Sequence, residues 1–443
     1  MKQAWQWVLV VAMGVLLYVL GYETLRIENV KVQILFAGLF AAWLAYCWLN
    51  ARVQSLSWKG VFFAGLILRL ILFVQQPNLS DDYLRYTWDG HLQSEQVDPF
   101  EHTPQLYVAL HPDDSLTRQI MEHNDQGIRL NSRRFYSVYT TPYQLIFYAA
   151  DAWGNDPNGV NLWIIRAFLL LFECLTFWVL WKLLNVLSKP LNRIALYWLN
   201  PLVIVEFIGN LHFDGIALFF MLLSFWFLAT ARTLPSALAL GMAIATKINP
   251  VFMAMVARRN FTLKQWLLWG TLAGLTAIVV LALYFDGHNL YHVRWSYRLY
   301  LYAFHFNSCV LNGIRGVFGP YAMEVMMGIF PKLIFLAIVA LNFLRKHWQL
   351  SDRILLAFTI YYLFGTTVHP WYLVVLVPFA LLSDWKFPLV WTYLIVWTYS
   401  FYHLEAVRQI GWVVGLEYAL LIAVIYFDFR KMQRKSEEGS LVK

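Results

Sequence analysis

Residues 58–90 read WKGVFFAGLILRLILFVQQPNLSDDYLRYTWDG. From Gly60 to Val74 the run is apolar except for Arg69; from Ser80 it turns polar, opening on Asp81 and Asp82. An apolar run of about 17 residues is enough to cross roughly 30 Å of hydrocarbon. Backbone in that medium has to satisfy its own hydrogen bonds, which selects a helix. The stretch therefore reads as a helix leaving a bilayer into a polar segment at its lip.

The same pattern recurs along the chain. Of 443 residues, 60% are hydrophobic and 14% charged, against roughly 25% charged in soluble domains; mean hydropathy is +0.53. Apolar runs at 5–22, 30–49, 58–74, 160–181, 191–208, 212–231, 265–284, 322–344, 353–368, 370–383, 387–403 and 410–428 read as spans. Two more are awkward: 139–153 is short, and 235–256 is broken at Lys247-Ile248-Asn249-Pro250. Polar backbone at membrane depth is tolerated where it lines a cavity, so both would border one. The predicted fold is an all-α polytopic membrane protein, one integral-membrane domain over 1–443 with about twelve transmembrane helices, plus or minus two.

Lys and Arg gather in short connectors: Arg258 and Arg259, Arg345 and Lys346, and Arg430, Lys431, Arg434 and Lys435. The positive-inside rule puts these on the cytoplasmic side, so the net charge of +8 calls for no nucleic acid. With the amino terminus inside, 235–256 enters and leaves on one side, and 139–153 is re-entrant or interfacial. Residues 75–138, 209–212, 285–306, the His369-Pro370 connector and 404–409 then fall outside. The long loops with their acids and histidines share the non-cytoplasmic face. The first run follows a single Lys2 and lacks a small-x-small cleavage site, so it reads as a retained span. Cys47, Cys174 and Cys309 lie in or beside apolar runs with no CxxC pair, which indicates neither a disulfide framework nor a thiolate metal site. Aromatics at 18% suit interfacial belts, or a site that holds a sugar or lipid chain.

In the opening stretch, Ser80 reads as an N-cap with Asp81 and Asp82 in the first helical turn, where carboxylates favour the helix dipole. Asp82, Arg85, Tyr86 and Asp89 follow at i, i+3, i+4 and i+7, on one face. A carboxylate beside a guanidinium and a phenol stays ionised and oriented, as a general base for a hydroxyl must be. Arg69 would either snorkel up to the same acids or anchor its helix at the interface.

These residues carry a resemblance. Ser80-Asp81-Asp82-x-x-Arg85-Tyr86-x-Trp88-Asp89-Gly90, then Asp98-Pro99-Phe100 and Pro104, resembles a bacterial family of GT-C membrane glycosyltransferases dependent on polyprenol-phosphate-mannose. Asn200-Pro201-Leu202, Glu206, Gly209-Asn210-Leu211-His212-Phe213-Asp214-Gly215, Lys247-Ile248-Asn249-Pro250, Phe306-Asn307 and His369-Pro370-Trp371-Tyr372 follow in the family's order from about 60 to 400. The sequence departs where the family has Y-P-P, reading Tyr139-Thr140-Thr141-Pro142, and where it has N-P-Y, reading Asp98-Pro99-Phe100.

The resemblance implies a GT-C-type bundle with a long catalytic first outer loop (75–138) and a second outer loop (285–306). It implies a polyprenyl-phosphate sugar donor, most simply mannose, and a lipid or glycan acceptor hydroxyl, in a bacterial inner membrane with the site facing the periplasm or exterior. Transfer would proceed with inversion and with no cofactor. Asp82 is the expected base and Asp81 the second choice. Lys247, His369, Arg294 and Arg298 are candidates for the donor phosphate, whose developing charge needs cations or donors; an ionisable Lys247 inside an apolar stretch costs about 2.5–3.5 kcal/mol at mid-bilayer. Arg85, Tyr86, Trp88, Asp89, Asn210, His212, Asp214, Trp371 and Tyr372 are candidates for substrate binding. A shared metal at His212, Asp214 and Glu206 is chemically conceivable, but sugar binding or helix capping is the stronger reading and no metal is expected. Glu173 and Glu417 sit mid-span and are read only as interhelical hydrogen-bonding groups.

Two rival readings stand beside this one. A transporter or flippase would show paired repeats and charges near the midplane; no repeat is visible, and the polar groups gather at the outer ends of spans. A lipid-pyrophosphate-dependent polymerase or ligase would need a diphosphate clamp of several arginines.

Overall fold

The computed structural model describes residues 2–53, 57–122, 128–154, 160–302, 304–344, 348–403 and 407–441. The basic pair Arg345 and Lys346, and part of the 404–409 connector, lie outside them. Among the described residues the regular elements are helical, with β-structure confined to two isolated bridges, Phe306 with Thr367 and Tyr402 with Val407. The chain is an all-α polytopic membrane protein.

Among the described residues, six helices are long and apolar enough to span a bilayer alone: Ala4–Tyr22, Asn29–Arg52, Leu162–Val186, Leu263–Leu281, Pro320–Ala340 and Gly411–Arg434. Leu191–Trp198 and Pro201–Gly209, bent by 52°, make a seventh if taken as one span. The sequence pointed to about twelve. The other runs form shorter helices, among them Trp58–Ile71, Asp214–Ala229, Thr233–Thr246, Leu350–Phe364 and Pro370–Leu382. Proline is one reason, because it removes a backbone donor and forces the preceding residue out of helical geometry. At the bent pair, Asn200 is extended and its side chain accepts from Leu202 N at 2.9 Å, capping the helix that Pro201 starts.

The Val160–Val186, Asp214–Ala229, Thr233–Thr246 and Leu263–Leu281 helices pack in succession. The Thr233–Thr246 helix ends where Lys247 turns extended, and Val251–Val256 resumes after Pro250. That short helix packs along Leu350–Phe364 down to Asn260, whose side chain accepts from Arg353 at 2.7 Å. The break therefore folds the chain back on itself. It leaves Lys247 at the end of the bundle where Thr140 donates to Thr246 O.

Over that end lies the 75–138 segment, whose Asp82–Ser94 helix is packed on two faces. Asp82–Ser94 packs on Thr141–Gly154 at Gly90, where a Cβ would stand 2.4 Å from Phe147 O; only glycine permits that approach. Its other face meets a small apolar cluster of Trp88, Leu92, Tyr107, Ile120 and Leu130.

Arg69 neither snorkels nor anchors. It is fully buried, pairs with Glu173 at 2.7 Å and lies over the Trp198 ring at 3.6 Å. Glu173 also accepts from Tyr197 OH at 2.6 Å, and Glu417 accepts from Asn307 and Trp391. Both mid-span glutamates thus hydrogen-bond between helices.

Candidate active site

The helix begins at Asp82, one residue later than the N-cap reading of Ser80 implies. Asp81 takes the cap position without a side-chain cap bond, and Ser80 Oγ accepts from Asp82 N at 3.3 Å. The two aspartates consequently part company. Asp81 is buried with both oxygens engaged, one by Arg26 at 3.1 Å and one by Asn131 N at 3.0 Å. Asp82 keeps a quarter of its side chain exposed, and its one ion-pair partner among the described residues is His212, at 3.7 Å. Burial raises the Asp82 carboxyl to about 6 against the pull of His212 and Arg26, with Asp81 and Asp214 adding repulsion.

Arg85 turns away from Asp82. It bonds Asp89 Oδ1 at 2.6 Å and Phe135 O at 2.8 Å, so the acid beside the guanidinium is Asp89. Asp89 is fully buried and also accepts from Ser137 at 2.5 Å and Gln144 at 2.9 Å. These bonds tie the helix to the 132–139 strap, which with Asp82 and Arg85 lines a small recess. Tyr86 is buried against Phe147, Tyr139 and Phe213. Trp88 belongs to the apolar cluster on the far face and donates to Thr117 Oγ1 at 3.0 Å. Of the residues expected on the catalytic face, Asp82 and Arg85 line the recess; Tyr86, Trp88 and Asp89 support them.

His212 comes from the other side of the site. Val205–Gly209 is a π-turn, a wide helical turn often found at functional sites. Leu211 adopts a left-handed φ of 64°, which folds His212 back so that its N–H donates to Glu206 O at 3.0 Å. Its Nδ1 lies 2.9 Å from Glu206 Oε2, an ion-pair contact rather than an aligned hydrogen bond. Glu206 is fully buried and accepts from Tyr399 OH and, at 3.1 Å, from Asn210. Arg166 and Gln75 hold the turn from below through the carbonyls of Ile208 and Gly209.

Asp214 and Lys247 meet at 2.5 Å, with the ammonium 4.1 Å from the Tyr372 ring centre. Trp371 is sandwiched between His212 at 3.7 Å and His369 at 4.2 Å, near-parallel to both. Its faces are therefore taken by imidazoles rather than open to a sugar ring. Burial, with His212 and Lys247 nearby, holds His369 well below the usual histidine range, so it is neutral. Arg294 and Arg298 stand exposed on Gly287–Tyr302, outside this cluster. That helix is joined to the loop through His292, which stacks on Tyr136 at 4.2 Å and contacts Phe100 O at 2.9 Å.

Sequence reasoning missed Arg26, Tyr399 and Tyr402. Arg26 pairs with Asp81 and covers Tyr402 at 4.6 Å. A signal was available, since the expected topology, with the amino terminus inside, puts Arg26 in an outer connector, where the charge rule disfavours arginine. No local pattern marked the tyrosines. Among the described residues, no group of three or more His, Cys, Asp or Glu is arranged to hold a metal ion.

Residues 7–260 match the family model described as alpha-(1->6)-mannopyranosyltransferase, N-terminal domain. That is more than half of the 443 residues, and it includes Asp82, Glu206, His212, Asp214 and Lys247. His369, Trp371 and Tyr372 lie beyond the match and reach the same site through the fold. Neither the curated proteins nor the solved structures contain a match.

Proposed function

The chain belongs to the alpha-(1->6)-mannopyranosyltransferase family, and we propose that it moves mannose from a polyprenyl-phosphate donor to a lipid or glycan hydroxyl on the extracytoplasmic face. It is a membrane glycosyltransferase. The observation that carries the finer reading is the difference between the aspartates: Asp81 is saturated, whereas Asp82 is recessed, accessible and raised to about 6. A carboxylate so placed is a stronger base than an ordinary aspartate and is still ionised near neutrality.

In the proposed reaction, Asp82 takes the proton of the acceptor hydroxyl as its oxygen bonds the anomeric carbon. The carbon–oxygen bond to phosphate breaks, and the lipid phosphate leaves with the electron pair. Inversion to an α-product requires a β-linked donor. Lys247, paired with Asp214 and close to the neutral His369, would meet the phosphate as its charge grows. A half-buried lysine with three donors, one given to Asp214, has capacity for phosphate oxygens. Arg85, anchored by Asp89, would border the acceptor side of the recess. Arg294 and Arg298 stand outside this scheme.

The test supplies purified, reconstituted protein with radiolabelled polyprenyl-phosphate-mannose and a lipid extract of the native host. Wild type should transfer label. Asp82→Asn should lose at least about 10²-fold, and Asp81→Asn should retain measurable turnover. The opposite order would make Asp81 the base, and folded wild type inert with this donor would remove the donor from the proposal.

A further inference from the structure

We infer that Glu206 and His212 are a positioning pair for the catalytic base, an imidazolium set between two carboxylates that keeps Asp82 ionised and aimed. The inference rests on the reading of Asp82 as base.

The geometry is a chain of contacts crossing the site. Tyr399 OH donates to Glu206, whose Oε2 meets His212 Nδ1 at 2.9 Å. On the opposite edge of the ring, Nε2 stands 3.3 Å from Ser80 Oγ and 3.7 Å from Asp82 Oδ2. The ring has no freedom to swing, because Trp371 lies flat against it at 3.7 Å and 12°. Glu206 and His212 are both buried. A carboxylate so far from water with only neutral donors would be costly, and His212 is the basic group that the geometry sets against it.

The other charges around His212 cancel in pairs. On the Asp82 side, Asp81 is neutralised by Arg26, which the Tyr402 ring covers. Toward the next helix, Asp214 is neutralised by Lys247. Beyond Trp371, His369 is held neutral by its burial. His212 is left as the cation Asp82 faces directly. The strained turn supports this use: a π-turn followed by a left-handed Leu211 is costly backbone. Arg166 and Gln75, both buried, fix it through the carbonyls of Ile208 and Gly209.

The experiment is the pH profile of kcat/KM for wild type, His212→Gln, His212→Phe and Glu206→Gln. His212→Phe keeps a flat ring against Trp371 and removes the charge, so it separates packing from electrostatics. Loss of an opposite charge this close raises a carboxyl pKa by about one to three units. Both His212 variants should therefore move the acid limb upward by that much and recover activity at high pH. Glu206→Gln, an isostere that can still bond Tyr399, should move it the same way by less. A wild-type limb in His212→Phe would assign the histidine to packing and overturn the inference. So would an unmoved limb in Glu206→Gln and His212→Gln with only kcat lowered. Asp82→Asn measured in parallel separates the two ideas: an active Asp82→Asn defeats the base reading itself, whereas an inactive one with unmoved limbs defeats the positioning pair alone.

Discussion

Replacing Arg69 with Met tests whether the charge in the third apolar run is structural. The Arg69–Glu173 pair is nearly solvent-free and 2.7 Å apart. With an effective dielectric of about 20, two unit charges at that distance attract by roughly 6 kcal/mol. Desolvation of both ions offsets much of this, so the pair itself contributes little net stability. Removing one partner is different. Arg69→Met leaves Glu173 buried with Tyr197 as its remaining donor among the described residues and removes a side-chain donor from the Gly65 and Trp198 carbonyls. The expected loss is about 3–5 kcal/mol, limited because Glu173 can escape by taking up a proton. At about 2.1 cal/mol/K of unfolding entropy per residue, such a loss lowers the midpoint of a 443-residue chain by about 4 °C. The assay is heating of detergent-solubilised protein followed by the fraction remaining monodisperse, for Arg69→Met, Glu173→Met and the double variant. The double variant should recover most of the loss, since no orphaned charge remains, and surviving protein should turn over at the wild-type rate. Additive losses in the double variant would refute the pairing. A specific fall in kcat with unchanged stability would return Arg69 to the catalytic acids.

Because Asp82 is raised to about 6 and the base works only when deprotonated, activity should fall as pH drops through 6 and stand about tenfold below its plateau at pH 5. A rate flat from pH 5 to 8, at saturating and limiting donor alike, would exclude it as the base. Lys247→Ala should insert normally yet raise the donor KM and lower kcat together, as expected for a group that meets both bound and departing phosphate. Full-rate turnover by a correctly inserted Lys247→Ala protein would remove it from the site.

Some features were legible from the chain alone because their causes are local. Apolar length with few charges dictates helices in a bilayer, so the polytopic class follows from composition and run length. The break at Lys247-Ile248-Asn249-Pro250 follows from proline, and the polar stretch after Val74 from a plain change of composition. The ordered motifs brought Asp82, His212, Lys247 and Trp371 forward as candidates. Their division of labour was not legible. Asp81 and Asp82 are chemically identical neighbours, and what separates them is an arginine 55 residues away. Arg69 is satisfied by a glutamate 104 residues distant, His212 meets Ser80 across 132, and Glu206 is held by a tyrosine 193 residues on. Trp88 and Trp371 both read as possible sugar platforms, yet one fills a small apolar cluster and the other is clasped between two imidazoles. Periodicity specifies which face a side chain occupies on its own helix, while the groups that meet it there are chosen by packing between distant segments. The chain by itself therefore determined the class and the candidates, and only the tertiary structure decided which acid is left open and which charges are already spoken for.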